Sequence, residues 1–340
     1  MSNKNEYPID FVVLWVDGSD EQWLRKKKKY NPDINIADEE SRYRDWGIFK
    51  YWFRAVEKYT PWVNHIYLVT DNQKPEWINE KHQKLTIIDH DEIIDKKYLP
   101  TFNSQAIEMN IHKIPGLSEH FVYFNDDMYI GKTIKPTEFF VNGTPVEAAI
   151  LNSGTGMDSN ELYARTMFND IILINRNFNK KKVINGNLFK WLNPKYGIHN
   201  IRTISQLIYP YFTGYKPLHM PAAMTKKTFK EIWAKEKEVL EKTTSHKFRH
   251  PEDVNQYIFS LWNICNNNFC PKNTKRIKYI SMSNGLTAKT MNEIMKEKYA
   301  LYCINDDLGD GYDLDTIEEI ALKLDNLYSK VLPEKSLYEK

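Results

Sequence analysis

The chain contains little cysteine and no long apolar segment. It has three cysteines in 340 residues, an odd number without the paired spacing of a zinc site, which is typical of reduced thiols in a reducing compartment. The longest uninterrupted apolar run is Phe11–Val16, far shorter than the roughly 20 residues of a membrane-spanning helix. The N-terminal residues also lack the apolar core of a signal peptide. We therefore expect a soluble, cytoplasmic protein.

The chain carries no large excess of charge of one sign. Lysine and arginine number 47 and aspartate and glutamate 45, which leaves a formal net charge of +2. This balance does not imply a generic polyanion-binding protein, and we expect no nucleic-acid partner. Two local lysine runs, Lys26–Lys29 and Lys180–Lys182, are interpreted first as solvated faces. The alternative for these runs is contact with anionic lipid or with an acidic product.

Three common catalytic signatures are missing. The chain has no Walker loop, no Gly-x-Gly-x-x-Gly motif and no His-Glu-x-x-His motif. ATP hydrolysis and dinucleotide redox chemistry therefore lack their usual sequence signatures.

Apolar residues are plentiful, because hydrophobic residues make up 41% and aromatic residues 14% of the chain. This composition excludes global disorder and provides enough apolar side chains for a sizeable core.

The first 140 residues alternate between strand and helix patterns. Ile9–Val16 is a continuous apolar run rich in β-branched residues, the pattern of a strand buried on both faces. The alternation predicts an α/β, Rossmann-like fold with a mainly parallel sheet flanked by helices. The other predicted strands are His65–Thr70, Leu85–Ile88 and His120–Phe124, and the predicted helices are Glu21–Tyr30, 42–58 and Ser104–Lys113.

The rest of the chain predicts more helical parts. Residues 141–218 hold a glycine-containing loop and an asparagine-rich stretch, which we interpret as an inserted or second helical subdomain. Helical patterns follow at 226–243 and 252–264, and Asp315–Leu332 predicts an amphipathic closing helix. We therefore expect three parts, namely 1–140, 141–218 and 219–340, of which the last completes the domain begun by the first.

Four predicted strands each run into acidic residues. Because ligands of parallel sheets bind beyond the carboxyl ends of the strands, these carboxylates are expected along one rim. A single Asp there means little, since Asp is a common turn residue. Adjacent carboxylates, however, are costly unless water or a cation neutralises them, and such pairs suit a Mg²⁺ or Mn²⁺ ion bound to a diphosphate. The acidic residues are Asp17, Asp71, Asp89 and the Asn125-Asp126-Asp127 group.

Two segments of the C-terminal half combine histidine and arginine. His219 lies in a proline-flanked turn before a predicted helix, and residues 246–253 read His-Lys-Phe-Arg-His-Pro-Glu-Asp. The guanidinium of Arg249 suits bidentate contact with phosphate, and histidine suits proton transfer near neutral pH. An isolated histidine is, however, more often an ordinary surface residue, so these residues alone do not assign a function.

Four blocks of the sequence carry a more specific pattern. They are 9–20 (IDFVVLWVDGSD), 42–140 with Leu68-Val69-Thr70-Asp71 and Phe124-Asn125-Asp126-Asp127, 219–253, and 302–307 (YCINDD). Jointly and in this order they resemble the Stealth family. That family comprises bacterial capsular-polysaccharide phosphotransferases and the catalytic subunit of the lysosomal-enzyme N-acetylglucosamine-1-phosphotransferase. The chain lacks room for the large inserted modules of the eukaryotic members, so it resembles a compact bacterial form.

The resemblance implies transfer of a sugar 1-phosphate. A UDP-N-acetylhexosamine or UDP-hexose donor is expected to be attacked at its β-phosphorus by a hydroxyl of an oligosaccharide or polysaccharide acceptor. The products would be a phosphodiester and UMP, in the synthesis of a capsule or another cell-surface polysaccharide. Residues 1–140 would then bind the nucleotide sugar, with 141–218 on the acceptor side. A lipid-linked acceptor and peripheral association with the inner membrane face remain open, as does the oligomeric state.

The resemblance also implies a set of site residues. It places Asp126 and Asp127 at the reaction centre, as catalytic residues and metal ligands, with His219 and Arg249 as further catalytic residues. The sequence leaves the general base open between a carboxylate of the Asp126–Asp127 pair and His219. Substrate contacts are expected at Asp17, Gly18, Arg44, Asn125, Asp253, Asn305 and Asp306.

Two other functions compete with this interpretation. A Mg²⁺-dependent UDP-sugar glycosyltransferase would also use acidic residues after a strand, but it would break the bond at the anomeric carbon and release UDP. A carbohydrate-binding protein would use the many Trp and Tyr residues as stacking platforms. The carboxylates at the strand ends disfavour the latter, because a stacking site does not require them.

Overall fold

The structure is a computed structural model that describes residues 7–32, 43–156, 161–308 and 314–340, without the side chains of residues 284 and 314. Arg42, with which the predicted helix 42–58 begins, lies outside the described residues. The strands are β1 (Ile9–Leu14), β2 (Ile66–Thr70), β3 (Leu85–Asp89), β4 (His120–Phe124), β5 (Met128–Ile130), β6 (Phe140–Val141), β7 (Thr144–Glu147), β8 (Ala222–Thr225), β9 (Cys270–Pro271), β10 (Ile277–Ser281) and β11 (Leu301–Asn305).

Twelve α-helices occur among the described residues. They are α1 (Glu21–Tyr30), α2 (Phe49–Tyr59), α3 (Ser104–Glu108), α4 (Glu161–Asn177), α5 (Lys180–Gly186), α6 (Leu188–Trp191), α7 (His199–Gln206), α8 (Lys226–Lys235), α9 (Lys237–Ser245), α10 (Tyr257–Cys265), α11 (Ala288–Met295) and α12 (Leu314–Val331).

The main sheet has five strands in the order β3-β2-β1-β4-β8. The first four strands of this order are parallel, and β8 pairs antiparallel with β4 at the edge. The prediction of an α/β fold with a mainly parallel sheet flanked by helices is therefore confirmed. The predicted strand His120–Phe124 and the helix Glu21–Tyr30 have the observed bounds, and Asp20 caps that helix by accepting from Gln22 N and Trp23 N.

Both faces of the main sheet are covered, which explains the unbroken apolar sequence of β1. Phe11 and Val13 belong to one core, with Trp52 of α2, whereas Val12 belongs to the other, with Phe259 of α10. Because successive side chains of a strand point to opposite faces, both sets must be apolar. β1 is thereby fixed at the centre of the molecule, and the residues that follow it have a defined position.

Two smaller sheets extend the main one. In the first, β11 pairs parallel with β10 and antiparallel with β5, with Cys303 opposite Met128. In the second, β7 pairs with β6 and β9. Since β5 begins immediately after Asp127, the chain passes from the main sheet to the β10–β11 sheet at that residue. The C-terminal part of the chain thus contributes directly to the surroundings of the acidic group after β4.

Several predicted helices differ from the observed ones. The helix predicted at 42–58 begins only at Phe49, and the one at 226–243 is two helices separated at Glu236. The helix predicted at 252–264 starts at Tyr257, and the predicted helix Ser104–Lys113 is the short α3 followed by a 3₁₀ turn. The segment 141–218 contains α4 to α7, as expected for a helical insertion, while the division into three parts stays a prediction.

Among the described residues, no helix is both long and apolar enough to cross a membrane.

Candidate active site

The carboxyl ends of the parallel strands open into a cleft of about 1300 Å³. Trp15 after β1, Val69 of β2, His90 after β3 and Asn125 after β4 all line it. This position is where open α/β sheets bind ligands. The volume exceeds the about 300–1000 Å³ of a pocket for one small ligand, so the cleft has room for two substrates.

The four strand-end acidic positions behave differently in the structure. Asp17 accepts from the amide and the hydroxyl of Ser19, and Asp89 accepts from Asp91 N, so both stabilise local turns. Asp71 lines the cleft and pairs with Lys26 at 2.5 Å. Of these four positions, only the group after β4 brings adjacent carboxylates into the cleft, with Asn125, Asp126 and Asp127 all in its lining. Asp306 and Asp307 after β11 form a second adjacent pair there.

Asp127 is held by groups from distant parts of the chain. Its Oδ2 accepts from His219 Nε2 at 3.0 Å and from Cys303 Sγ at 3.1 Å. Burial and the neighbouring Asp127 raise the pKa of the Cys303 thiol well above its ordinary value, so this thiol is a donor at neutral pH. The other oxygen, Asp127 Oδ1, is buried and has no hydrogen-bond partner within the described residues. Asp127 is therefore fixed through one oxygen while the second stays available.

His219 lies in a constrained backbone position between the strands and the cleft. Its φ is +37°, in the left-handed region that few non-glycine residues adopt. Nε2 contacts Asp127 as described, and Nδ1 lies 3.1 Å from the hydroxyl of Tyr257. Burial lowers the pKa of His219, but the Asp127 carboxylate raises it more, so the net change is upward from 6.5. An Asp on one ring nitrogen and a polar contact on the other is the arrangement of an oriented general base.

Asp126 lies in a cluster of like charges. Solvent reaches its side chain through the cleft, yet surrounding protein atoms desolvate it, and Asp127 and Asp45 add repulsion. These effects together raise the pKa of Asp126 to about 8. Desolvation by surrounding protein atoms also raises the pKa of Asp45, although solvent reaches this residue too. A carboxylate whose ionisation two neighbouring carboxylates oppose forms a site that a cation would stabilise.

The donor set fits a hard divalent cation. The unpartnered oxygen of Asp127 and the carboxylate of Asp126 are the oxygen ligands that Mg²⁺ and Mn²⁺ favour. Ligand atoms of Asp127, His219 and Cys303 also lie within 4.8 Å of one another. In that second group, however, hydrogen bonds to Asp127 Oδ2 already use the thiol and the ring nitrogen. The orphan oxygen Oδ1 is therefore the better indicator of a cation position.

Arg249 provides a positive charge in the lining of the cleft. Its Nη2 donates to Ser104 Oγ at 3.3 Å, and no carboxylate pairs with it among the residues that the structure describes. The loop that carries it is built on Asp253, which is completely buried and lies outside the cleft lining. Asp253 accepts from His246 Nδ1 at 2.6 Å and from His250 N and Asn103 Nδ2, each at 2.8 Å. Asp253 thus positions the Arg249 loop, and the structure gives it no direct access to a ligand in the cleft.

Arg44 and Asp306 meet although 262 residues separate them. Arg44 Nη1 donates to Asp306 Oδ2 at 2.9 Å, and the guanidinium lies over the Trp46 ring. Burial raises the pKa of Asp306, which the Arg44 charge only partly offsets. Both residues line the cleft, as does Asn305 at the end of β11. The last of the four sequence blocks is thereby brought to the same cavity as the first three.

Asp17 and Gly18 lie beside the cleft and are not part of its lining. A Cβ on Gly18 would lie 2.3 Å from the carbonyl oxygen of Tyr43, so Gly18 permits a close approach of two backbone segments. That approach holds the segment that carries Arg44 and Asp45 into the cavity. The substrate contact at Gly18 stays a prediction, and the structure gives the residue a positioning role.

Four residues of the site escape the sequence analysis. Asp45 and Tyr257 are not part of any recognisable motif. Cys303 lies among apolar residues of β11, where a cysteine is expected to be a core residue. Glu108 of α3 is a buried carboxyl that accepts from Tyr123 Oη and Gln256 N, and burial raises its pKa to about 7. Its position next to the buried end of β4 depends on tertiary packing, so no local signal could have identified it.

We expect Gly18→Ala to destabilise the protein. The added methyl group must displace the Tyr43 backbone, and overpacking of this kind typically costs about 1–3 kcal/mol of unfolding free energy. Gly156→Ala is the matched control, since a Cβ there meets no atom within 4 Å. Denaturant unfolding of both variants measures the difference, and equal unfolding free energies would contradict the close packing at Gly18.

Family models match three parts of the chain. Conserved region 1 of Stealth proteins matches residues 7–34, conserved region 2 matches 42–147, and conserved region 3 matches 218–261. These ranges contain the strand-end group after β4, His219 and Arg249. The resemblance stated from the sequence is therefore confirmed for the first three blocks.

Curated relatives match along nearly the whole chain. The capsular polysaccharide phosphotransferase WcwK of Streptococcus pneumoniae is 37% identical, covering 99% of both chains. The receptor polysaccharide phosphotransferase WefC of Streptococcus gordonii is 41% identical over 97% of this chain and 98% of its own. An exopolysaccharide phosphotransferase of Lactiplantibacillus plantarum is 38% identical over 100% of this chain and 98% of its own.

Similarity to solved structures is weaker. A galactosyltransferase, LgtC, matches 94% of this chain and 95% of its own with a TM-score of 0.39 and 8% identity. A match at this level supports no conclusion about chemistry. The sequence relatives and the family models, by contrast, agree with each other over the residues that form the cleft. The chain therefore belongs to the Stealth family of polysaccharide phosphotransferases and is a transferase.

Proposed function

We propose that this transferase moves a sugar 1-phosphate from a UDP-sugar to a hydroxyl of a polysaccharide acceptor. The products are a sugar–phosphate–sugar diester and UMP, and the polysaccharide belongs to a capsule or another cell-surface polymer, as in the names of the relatives. The observation that carries this proposal is the meeting, in one large cleft, of Asp126 and Asp127 with the guanidinium of Arg249. Phosphoryl transfer requires such charge neutralisation and little covalent work by the protein.

The transfer exchanges one phosphorus–oxygen bond for another. The acceptor oxygen forms a bond to the β-phosphorus while the bond from that phosphorus to the bridging oxygen of the α-phosphate breaks. UMP leaves with the bridging oxygen, and the hydroxyl proton of the acceptor is released. The protein must therefore stabilise charge on the diphosphate and accept one proton.

His219 is the residue that we propose as the proton acceptor. Asp127 Oδ2 fixes Nε2, which directs the lone pair of the neutral ring to Nδ1. Nδ1 lies 3.1 Å from the hydroxyl of Tyr257, a contact that the acceptor hydroxyl would replace. The sequence leaves the general base open between His219 and a carboxylate of the Asp126–Asp127 pair, and this geometry favours His219.

Asp126 and Asp127 Oδ1 are the groups that we propose to hold Mg²⁺ or Mn²⁺. The buried orphan oxygen and the mutual repulsion of the neighbouring carboxylates support this proposal. When bound, the cation supplies neutralisation of the diphosphate oxygens. Arg249 contributes a positive charge in the same lining, and no carboxylate of the described residues pairs with it.

The nucleotide product tests the proposed reaction. We expect UMP in stoichiometric amounts when the protein is incubated with a panel of UDP-sugars and an acceptor polysaccharide. With the donor labelled at the β-phosphorus, the label should appear in an acid-labile diester on the acceptor. Chromatography of the nucleotides and of the acceptor measures both, with Asp127→Asn as the background control. Stoichiometric UDP with an unlabelled acceptor would replace the proposal by an ordinary glycosyltransferase.

Removal of the proton acceptor should reduce turnover strongly. We expect His219→Gln to lower kcat by about 10²–10⁴-fold, the usual contribution of a positioned general base. Asp127→Asn should abolish turnover in a folded protein, because it removes both the orienting charge and the cation ligand. His82→Gln is the matched control, since His82 lies outside the cleft lining. Near-normal UMP release by folded His219→Gln would assign the proton to another group.

The guanidinium geometry of Arg249 should also matter. Arg249→Lys keeps the positive charge but loses the planar fork. We expect a loss of about 2–4 kcal/mol of transition-state stabilisation, measured as a fall in kcat/KM. Lys242→Arg, on the exposed side of α9, serves as the control for a charge-conserving exchange. If lysine replaced Arg249 without loss, the residue would be a solvated surface group and not part of the site.

A further inference from the structure

Helix α7 turns its apolar side to solvent. Ile198, which precedes it, is 78% exposed, and Ile201 and Ile204 are 65% and 54% exposed. The inward side instead carries Thr203 and Gln206, whose side chains accept from Leu151 N at 3.2 Å and from Thr213 Oγ1 at 2.8 Å. A surface helix of a globular domain normally has the opposite arrangement. The outward isoleucines are therefore not part of the core.

The apolar surface extends beyond α7. Ile208 and Tyr211, in the turn that follows, are 81% and 67% exposed, and Phe189 of α6 is 85% exposed. Asn193 links α6 to α7, because its Nδ2 donates to Phe189 O and its own carbonyl accepts from Asn200 Nδ2. Large exposed apolar patches on soluble domains mark interaction sites. We name these residues the apolar patch: Phe189, Ile198, Ile201, Ile204, Ile208 and Tyr211.

The patch lies in a segment without acidic residues. The sequence contains no Asp or Glu from 171 to 230, although 45 occur in the whole chain. Lys181 and Lys182 of α5 and Arg202 of α7 are exposed cations in this segment. The buried Lys180 donates to Gln206 O and Tyr209 O, which places the start of α5 against the end of α7. Exposed cations thus border the apolar patch.

We propose that the apolar patch docks onto the surface of a bilayer containing anionic lipids. Isoleucine and aromatic side chains would enter the boundary between headgroups and acyl chains, as in interfacial amphipathic helices. The neighbouring lysine and arginine side chains would contact anionic headgroups, which attract cations near the membrane surface. The docking is peripheral and requires no membrane-spanning element.

The charge distribution favours a bilayer over a second copy of this chain. A two-fold symmetric dimer through the patch would bring the same acid-free, cationic segment against itself. The like charges of Lys181, Lys182 and Arg202 would then oppose association, whereas an anionic lipid surface complements them. The apolar part alone would fit either occupant, so the charges decide between them.

Docking through α7 would also orient the cleft. Arg202 Nη1 donates to the side-chain oxygen of Asn152 at 2.9 Å, and Asn152 lines the cleft. The membrane surface would therefore lie next to the cavity, where it could present an acceptor attached to a lipid. This consequence rests on the proposed function, whereas the docking itself does not.

Vesicle co-flotation tests the proposal without any substrate. We expect the protein to float with vesicles of phosphatidylglycerol and phosphatidylcholine, and not with vesicles of phosphatidylcholine alone. The triple variant Ile198→Gln, Ile201→Gln, Ile204→Gln should bind at least about tenfold less. Lys181→Gln with Lys182→Gln should also weaken binding, because it removes exposed cations. Leu322→Gln on α12 is the matched control, since Leu322 is 63% exposed and distant in sequence.

Two further measurements separate the possible explanations. Circular dichroism and UMP release with a soluble acceptor should be unchanged in the triple variant, which shows that folding and the cleft are intact. Equal flotation of the wild-type and triple-variant proteins would overturn the proposal. So would a wild-type dimer in light scattering that the triple variant converts to a monomer, because the patch would then bind a second copy. Neither result would affect the product test of the proposed reaction.

Discussion

The position of Asp127 is the constraint on which the candidate site depends. The residue ends the crossing from β4 of the main sheet to β5 of the β10–β11 sheet, so both sheets must form before it is fixed. Its Oδ2 then accepts from His219 and Cys303, which come from chain segments 92 and 176 residues away. A carboxylate in such a place is costly unless each of its oxygens is satisfied. The two hydrogen bonds satisfy Oδ2, whereas Oδ1 has no partner among the described residues and is the atom proposed to hold a cation.

The parts of the fold that could be predicted from sequence are those with a local signal. The unbroken apolar run of β1 requires burial on both faces, and the structure provides it with one core on each side. The strand-end pair Asp126–Asp127 also has a local signal, because it directly follows a buried strand and the end of such a strand lies at the rim of the sheet. The pattern alone, however, could not distinguish this pair from Asp17 or Asp89, whose carboxylates accept from nearby amides. That difference depends on turn geometry, which the strand pattern does not contain.

The remaining features depend on contacts between distant segments. Arg44 and Asp306 were each expected to contact substrate, but their ion pair is visible only once β11 is placed beside the loop before α2. Asp253 was also expected to contact substrate. It is instead buried, and its three hydrogen bonds hold the loop that carries Arg249. Helix α7 shows the reverse case. Its isoleucine spacing is typical of a core-facing stripe, and only tertiary structure reveals that the stripe faces solvent.

The balanced net charge of the chain conceals an uneven distribution of charge. Asp45, Asp126 and Asp127 all line the cleft, where Asp127 and Asp45 raise the cost of ionising Asp126. The segment from 171 to 230 contains no carboxylate and supplies the cations beside the apolar patch. Over the whole chain 47 basic and 45 acidic residues nearly cancel, which is why composition alone does not imply an anionic partner. The proposed reaction and the proposed docking use these groups differently. The carboxylates of the cleft would meet a cation and a diphosphate, whereas the cations beside the apolar patch would meet an anionic surface.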